Sequence, residues 1–260
     1  MKTNPANIYE SDDSHFKQET ERLASFDLPT KISLETMGGI SPSARILDIG
    51  AGPNTQLVSY IQSHGAHYVA LDKNSDFLEK QKAAGAETCL GDIRSLPYQD
   101  AIFDKCHVRF VISHLGKDKP TSIREVLRVI KPSGKAIFIE YDWITAHGSV
   151  AFDKVKNFMI NGGFLFDADY GHELDEAVRS AATTDNLLLK VKNYDAPQMT
   201  DYSQVLKLRE AGTTDLKLQG KEASAEEWNK LLDALQVESE SSNPPGFFFP
   251  GVKVVTATHK

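Results

Sequence analysis

A chain of 260 residues that is 40% hydrophobic and 25% charged has ordinary globular composition, enough for one large domain with a smaller appendage. Its net charge of -7 argues against a nucleic-acid backbone as the main partner, and no apolar run approaches the roughly 18 residues that cross a bilayer. The N-terminus lacks the apolar core of a signal peptide, and Cys89 and Cys106, both in apolar stretches, read as buried free thiols, so a soluble cytoplasmic protein is expected.

Residues 1 to 12 are polar apart from Ile8 and Tyr9. Patterning predicts short helices over Ser14 to Ser25 and Pro29 to Met37, the second with a proline near its start and Gly38-Gly39 at its end. Residues 1–40 are thus expected to form a helical cap, packed on the core or lying over a site. Ile46 to Ile49 is a strand, and the chain then switches to small, turn-forming residues before a helix over Gln56 to Ser63.

The alternation continues. Tyr68 to Leu71 is predicted as a strand, Phe77 to Ala84 as a helix and Glu87 to Leu90 as a strand. Phe103 to Val108 is a fourth strand and Thr121 to Ile130 a helix; Lys131 to Gly134 is a turn into a fifth strand, Ala136 to Tyr141. Strands separated by helices imply right-handed crossovers and a parallel sheet covered on both faces, an α/β fold. Beyond Trp143 the pattern loosens: helices over Phe152 to Ile160 and Glu173 to Ala182, a strand at Leu187 to Val191, helices over Tyr202 to Ala211 and Ala225 to Leu235, and a last strand from Phe247 to Thr256.

The informative stretch is the turn after the first strand, Asp48-Ile49-Gly50-Ala51-Gly52-Pro53-Asn54-Thr55. Gly50 and Gly52 allow a ligand to approach the backbone, and the helix beyond offers free amides. Asp48 precedes the first glycine, and Thr55 stands where a dinucleotide-binding turn has its third glycine. Both features count against a nicotinamide-dependent oxidoreductase, although Asp72, 22 positions after Gly50, suits either fold. Asp48, Asp72 and Asp92 stand at the ends of three successive strands, where open α/β sheets bind ligands.

These residues together resemble the class I S-adenosylmethionine-dependent methyltransferases, over residues 40 to 195 and into the last strand. Asp48-Ile49-Gly50-Ala51-Gly52 is similar to the family's glycine-rich motif, Asp72 stands in the place of the acid that binds the ribose hydroxyls, and Gly91-Asp92-Ile93 resembles the segment that holds the adenine. Phe103 to Phe110 with His114-Leu115, and Arg124 to Gly134, resemble the fourth strand with its loop and the helix and turn before the fifth. The resemblance implies a doubly wound, Rossmann-like seven-stranded sheet, mostly parallel with a reversed C-terminal strand, plus helical cap elements. The methyltransferase domain would occupy 41–260, with 146–185 and 197–240 as substrate-covering insertions.

It also implies S-adenosylmethionine as cofactor, bound by Asp48, Gly50, Ala51, Gly52, Asp72, Lys73, Asp92, Ile93 and Arg109. The activity implied is in-line methyl transfer to a small-molecule oxygen or nitrogen acceptor; binding of the cofactor without turnover is the alternative reading. A sulfonium methyl is already activated, so positioning and water exclusion carry much of the catalysis. An acceptor that must lose a proton needs a base, for which topology offers His114 and Asp142. Tyr9, Tyr141 and Trp143 are candidate substrate contacts. No metal is expected: His64 and His67 have H-x-x-H spacing, but Gly65 interrupts the helix they would need. Asn243-Pro244-Pro245-Gly246-Phe247 is similar to an N-P-P-aromatic motif of amino-methylating enzymes, yet it lies before the last strand rather than after the fourth and reads as a turn.

Overall fold

The computed structural model describes residues 27–162, 164, 167–182, 187–195, 198–199, 202–206, 208–241, 243–248 and 250–259. The helix expected over Ser14 to Ser25, and Tyr9, lie outside the described residues. The first half alternates as expected: α1 (Asp27–Met37), β1 (Arg45–Ile49), α2 (Gln56–Ser63), β2 (His67–Asp72), α3 (Ser75–Ala83), β3 (Glu87–Leu90), β4 (Phe103–Arg109), α4 (Lys119–Val129) and β5 (Ile130–Asp142). There follow α5 (Val150–Asn161), α6 (Tyr170–Ala181), β6 (Leu187–Tyr194), β7 (Gln198–Met199), α7 (Ser203–Leu206), α8 (Leu208–Leu218), α9 (Glu222–Ser239), β8 (Phe247–Phe248) and β9 (Gly251–His259).

Seven strands form one sheet in the order β3-β2-β1-β4-β5-β9-β6. The pairs β1–β2, β1–β4, β2–β3 and β4–β5 are parallel, and β9 runs the other way. The order reverses between β1 and β4, so the crevice at their carboxyl ends is the switch point where such sheets take ligands. Ile46, Leu47, Val69, Ala70, Val108, Ile137 and Phe138 are each completely buried in this sheet, as parallel strands covered on both faces require. Leu57, Val58 and Ile61 of α2 and Ile123 and Val126 of α4 supply the apolar stripes that cover it.

The chain divides into two compact units. One takes Glu140 and the described residues before it, with Glu173–Asn193 and the chain from Lys253; the other takes Tyr141–His172 and Tyr194–Val252. The first holds the sheet. The second is built around aromatic side chains: the rings of Phe158 and Trp228 stack at 5.6 Å and Phe164 meets Trp228 edge-on at 5.3 Å, while Phe152 and Tyr202 pack on Phe247 at 4.6 and 4.5 Å.

Several expectations are corrected. Lys131 to Gly134 is no separate turn: β5 runs through it, but three residues of β4 (Phe103 to Lys105) span six of β5 (Ile130 to Lys135). The extra residues bulge, Lys131 Nζ reaches both oxygens of Asp104 at 2.9 and 2.8 Å, and only a glycine fits at 134, where a Cβ would lie 3.0 Å from three carbonyl oxygens. The single strand expected from Phe247 to Thr256 is two: β8 pairs with β7 in a ribbon, and β9 begins only after Pro250, which has no amide hydrogen for a ladder. The helix expected over Tyr202 to Ala211 is α7 followed by α8, and α9 extends beyond Ala225 to Leu235 at both ends. Cys106 is buried, but Cys89 is half-buried, because β3 is an edge strand of the sheet.

Candidate functional site

The turn from β1 into α2 adopts the conformation its glycines permit. Gly50 and Gly52 have φ of +66° and +60°, in the left-handed region that side chains disfavour. The amides of Gly50 and Ala51 both point to the Leu71 carbonyl, at 2.8 and 3.2 Å, which ties the turn to the end of β2. From α3, Gln81 Nε2 donates to the carbonyls of Gly52 (2.8 Å) and Asn54 (3.0 Å) and lies 3.4 Å from that of Ala51. Gln81 is fully buried, so it acts as a pin driven through the inside of the loop.

Asp72 is the last residue of β2 and faces the same turn. Its Oδ2 accepts the Gly52 amide and its Oδ1 the Asn74 amide, each at 2.9 Å. Burial pushes its carboxyl above the ordinary range, against the opposing pull of the Asn74, Gly52 and Lys73 amides. Asn74 then caps α3 by accepting the amides of Asp76 and Phe77. Lys73 between them is exposed.

Asp48 does not stand at the strand tip as expected. Its side chain is buried beneath the turn, where Oδ2 accepts the Tyr68 hydroxyl at 2.5 Å and Oδ1 lies 2.8 Å from His107 Nδ1. Burial opposes its ionisation, but the attraction of His107, the two hydrogen bonds and the charge of Arg109 outweigh this and hold the carboxyl below its usual range. Tyr68 is correspondingly pushed well upward by burial and by Asp48. The network runs on through His107 Nε2, 3.1 Å from Ser33 Oγ, to Arg109, whose Nη1 donates to Ser33 Oγ at 3.3 Å and Thr30 Oγ1 at 3.4 Å. Asn54 in the glycine turn also donates to Thr30. Helix α1 therefore adjoins the turn through hydroxyl groups.

At the third acid, Asp92 forms a bidentate pair with Arg94, Nε to Oδ1 at 2.9 Å and Nη2 to Oδ2 at 2.5 Å. These hydrogen bonds hold its carboxyl below the ordinary range. Ile93 beside it is buried, with its side chain in the core of this edge of the sheet. On the far side of the turn, β4 ends at Arg109 and Phe110 follows with φ +57°, a strained conformation for a phenylalanine. Val111 lies over Gly50: a Cβ placed there would be 2.4 Å from Val111 Cγ2. The next turn, Ile112–His114, is anchored by Glu140 of β5, whose Oε1 accepts the amides of Ile112 (2.8 Å) and Ser113 (3.2 Å). His114 itself is exposed.

In the second unit, Asp142 is buried with no hydrogen-bond partner for Oδ1 among the described residues, and its Oδ2 lies 3.3 Å from His172 Nδ1. Tyr141 and Trp143 have ring centroids 6.4 Å apart, with Trp143 buried. The first turn of α6 approaches Tyr141 closely enough that a Cβ at Gly171 would fall 2.1 Å from the Tyr141 carbonyl oxygen. Among the described residues, no group of three or more His, Cys, Asp or Glu is placed to hold a metal ion, and no helix is long and apolar enough to cross a membrane.

Gln81, Tyr68, His107, Glu140 and His172 escape a reading of motifs. The available signal was a polar residue in an apolar stretch: His107 in Cys106-His107-Val108, Glu140 after Ile137-Phe138-Ile139, and Gln81 on the Phe77-Leu78 face of its helix.

A Cβ at Gly52 would meet nothing nearer than the Gly50 carbonyl oxygen at 4.0 Å, so the space beside Gly52 is open; Asp72 at the end of β2 and Asp92, two residues past β3, carry carboxylates of the kind that accept from the hydroxyl and amine donors of a nucleoside. Residues 47–138 match the family model described as a methyltransferase domain. The chain is 30% identical over 113 residues to a demethylmenaquinone methyltransferase of Renibacterium salmoninarum, covering 43% of this chain and 46% of that protein. It is 36% identical over 97 residues to a malonyl-[acyl-carrier protein] O-methyltransferase of Erwinia pyrifoliae, covering 36% of each. The matched segment thus spans less than half of either relative. A phosphoethanolamine N-methyltransferase of Haemonchus contortus, solved with S-adenosylhomocysteine, shares the fold at TM-score 0.59 and 15% identity, over 98% of this chain and 60% of that one. The sheet order, the glycine turn and the family match agree, and residues 47–138 are similar to a methyltransferase domain.

Proposed function

We propose that the protein transfers a methyl group from S-adenosylmethionine to an oxygen or nitrogen atom of a small molecule, in the cytoplasm and without a nucleic-acid partner. The observation that carries this reading is the left-handed glycine turn, open beside Gly52, with the Asp72 carboxylate holding the Gly52 amide. When bound, the cofactor supplies a methyl group already activated by a positive sulfur. The chain's own work is then to hold, orient and exclude water.

Asp72 and the turn of Gly50, Ala51 and Gly52 bind the ribose, with Lys73 at the rim; Asp92 and Ile93 bind the adenine, and Arg109 pairs with the amino-acid carboxylate. Asp48 acts from below, holding Tyr68 and His107 so that the turn keeps its shape. For an acceptor that must be deprotonated, His114 or the pair of Asp142 with His172 takes the proton; a carboxylate on Nδ1 fixes the imidazole tautomer that leaves Nε2 as the acceptor. Tyr141 and Trp143 give the acceptor an aromatic surface, and residues 1–40, 146–185 and 197–240 determine its selectivity. The names of the two curated relatives, one acting on demethylmenaquinone and the other on a carrier-bound malonyl group, favour a small acceptor or a carrier-bound one.

Titration calorimetry with S-adenosylhomocysteine tests the reading. Micromolar binding is expected, weakened at least about tenfold by Asp72→Ala, a loss of about 1.4 kcal/mol or more. Absence of heat at high micromolar ligand refutes it. Transfer of labelled methyl to members of a panel of small hydroxyl and amine compounds then identifies the acceptor, and binding without transfer to any of them favours a silent binding protein.

A further inference from the structure

Glu140 is an acid near the end of β5, an interior strand of the sheet, where an apolar side chain would be expected. It is almost fully buried, and its Oε1 accepts two consecutive backbone amides, Ile112 and Ser113, from the loop that follows β4. The residue just before it is bound to that loop as well, since the Ile139 carbonyl accepts the Phe110 amide at 2.9 Å. Between these two anchors lies Val111, the residue that packs over Gly50. The carboxylate is therefore bonded to the residues that follow directly on the one covering Gly50.

We propose that Glu140 is the positioning residue that fixes the loop after β4 against the glycine turn, so that affinity for the cofactor follows the charge on its carboxylate. The inference rests on the methyltransferase reading for the ligand and on geometry for the coupling. Two amides converging on one oxygen are held far more strongly by an anion than by a neutral acid, whose proton also claims a lone pair. The strained Phe110 needs such a hold, because nothing local favours its left-handed backbone.

Burial places the transition near neutrality. Burial pushes the Glu140 carboxyl up to about 7, against the pull of the Ser113 amide and hydroxyl, the Ile112 amide and the charge of Lys119. Lys119 is a buried residue in the first turn of α4. On β4, Arg109 turns its guanidinium to Ser33 and Thr30, and in the loop His114 is exposed. Asp142, two residues along the strand, pairs with His172.

The test is S-adenosylhomocysteine affinity of the full chain at about pH 6, 7 and 8, for the parent and Glu140→Gln, alongside the amide NMR signals of Ile112 and Ser113. The parent should bind about tenfold more tightly at the top of that range than at the bottom, and its two amides should titrate together with a midpoint near 7. Glu140→Gln, isosteric and always neutral, should stay folded, hold the affinity the parent shows at the acid end and vary less than about twofold with pH. A parent affinity that is flat with pH, or a Glu140→Gln variant that keeps the parent's slope, overturns the proposal. Should the parent bind no S-adenosylhomocysteine at any pH, the methyltransferase reading fails; the amide titration then decides the positioning role, which is refuted if the amides do not move.

Discussion

Val111 closes directly over Gly50, with its Cγ2 methyl 2.4 Å from where a Cβ would stand. The position is doubly restricted, because φ is +66° as well. Gly50→Ala should abolish micromolar binding of S-adenosylhomocysteine while the sheet still folds. Adding Val111→Ala should restore only part of it: the second change removes the collision, but a backbone penalty of about 1–2 kcal/mol remains. Full recovery in the double variant would show that the clash alone matters.

Tyr68 and Asp48 make a buried pair whose loss should be felt as stability rather than chemistry. Tyr68→Phe leaves one carboxylate oxygen of Asp48 without its donor in a site closed to water. A cost of about 1–3 kcal/mol is expected from denaturant unfolding. An unchanged midpoint would mean that the hydroxyl contributes nothing net.

The Gln81 side chain donates to carbonyls of the glycine turn and packs in the core. Gln81→Leu keeps most of its volume but removes the donors. We expect S-adenosylhomocysteine affinity to fall about three- to tenfold, roughly the worth of one or two hydrogen bonds, with a smaller relative effect on the unfolding midpoint. Equal affinity in parent and variant would show that the turn holds its shape without the pin.

Lys105 on β4 caps the C-terminal end of α1, donating to the carbonyls of Met37, Gly38 (2.7 Å) and Gly39 (3.2 Å). Burial, with the nearby charge of Lys135, brings its ammonium down to about 8. A base whose folded value lies below its unfolded one binds fewer protons when folded. Between about 8 and 10.5, the unfolded chain holds the extra proton and stability contributed by this group rises with pH. The difference in unfolding free energy between the parent and Lys105→Met should therefore grow in the parent's favour across that window. A difference independent of pH would contradict the lowered value.

How much of this was legible in the sequence follows from distance along the chain. Strand β1, the turn at Gly50–Gly52 and helix α2, which spans Gln56–Ser63 in both sequence and structure, are written in neighbouring residues. The alternation of strands and helices predicts the parallel sheet and, through the resemblance, the reversed last strand. Asp72 was placed by its position at the end of an apolar run, and it meets the turn through the Gly52 amide.

Asp48 shows the limit. It stands in the motif, and the sequence placed it at the tip of a strand facing a ligand. Its partner His107 is 59 positions away and Tyr68 is 20 away, and only pairing of β1 with β4 and β2 puts the three together. The same holds for Glu140, whose bond to Ile112 spans 28 positions, and for Gln81, 29 positions from Gly52.

Periodicity of apolar residues and the glycines thus determined by themselves the alternation of strands and helices from β1 to β5 and the turn at Gly50–Gly52, since those preferences act between near neighbours. Which way each buried acid points, and which loop it holds, was decided by the tertiary structure. A buried polar atom must find its partner among whatever side chains and amides the closed sheet brings within about 3 Å, and that choice is made only when distant strands meet.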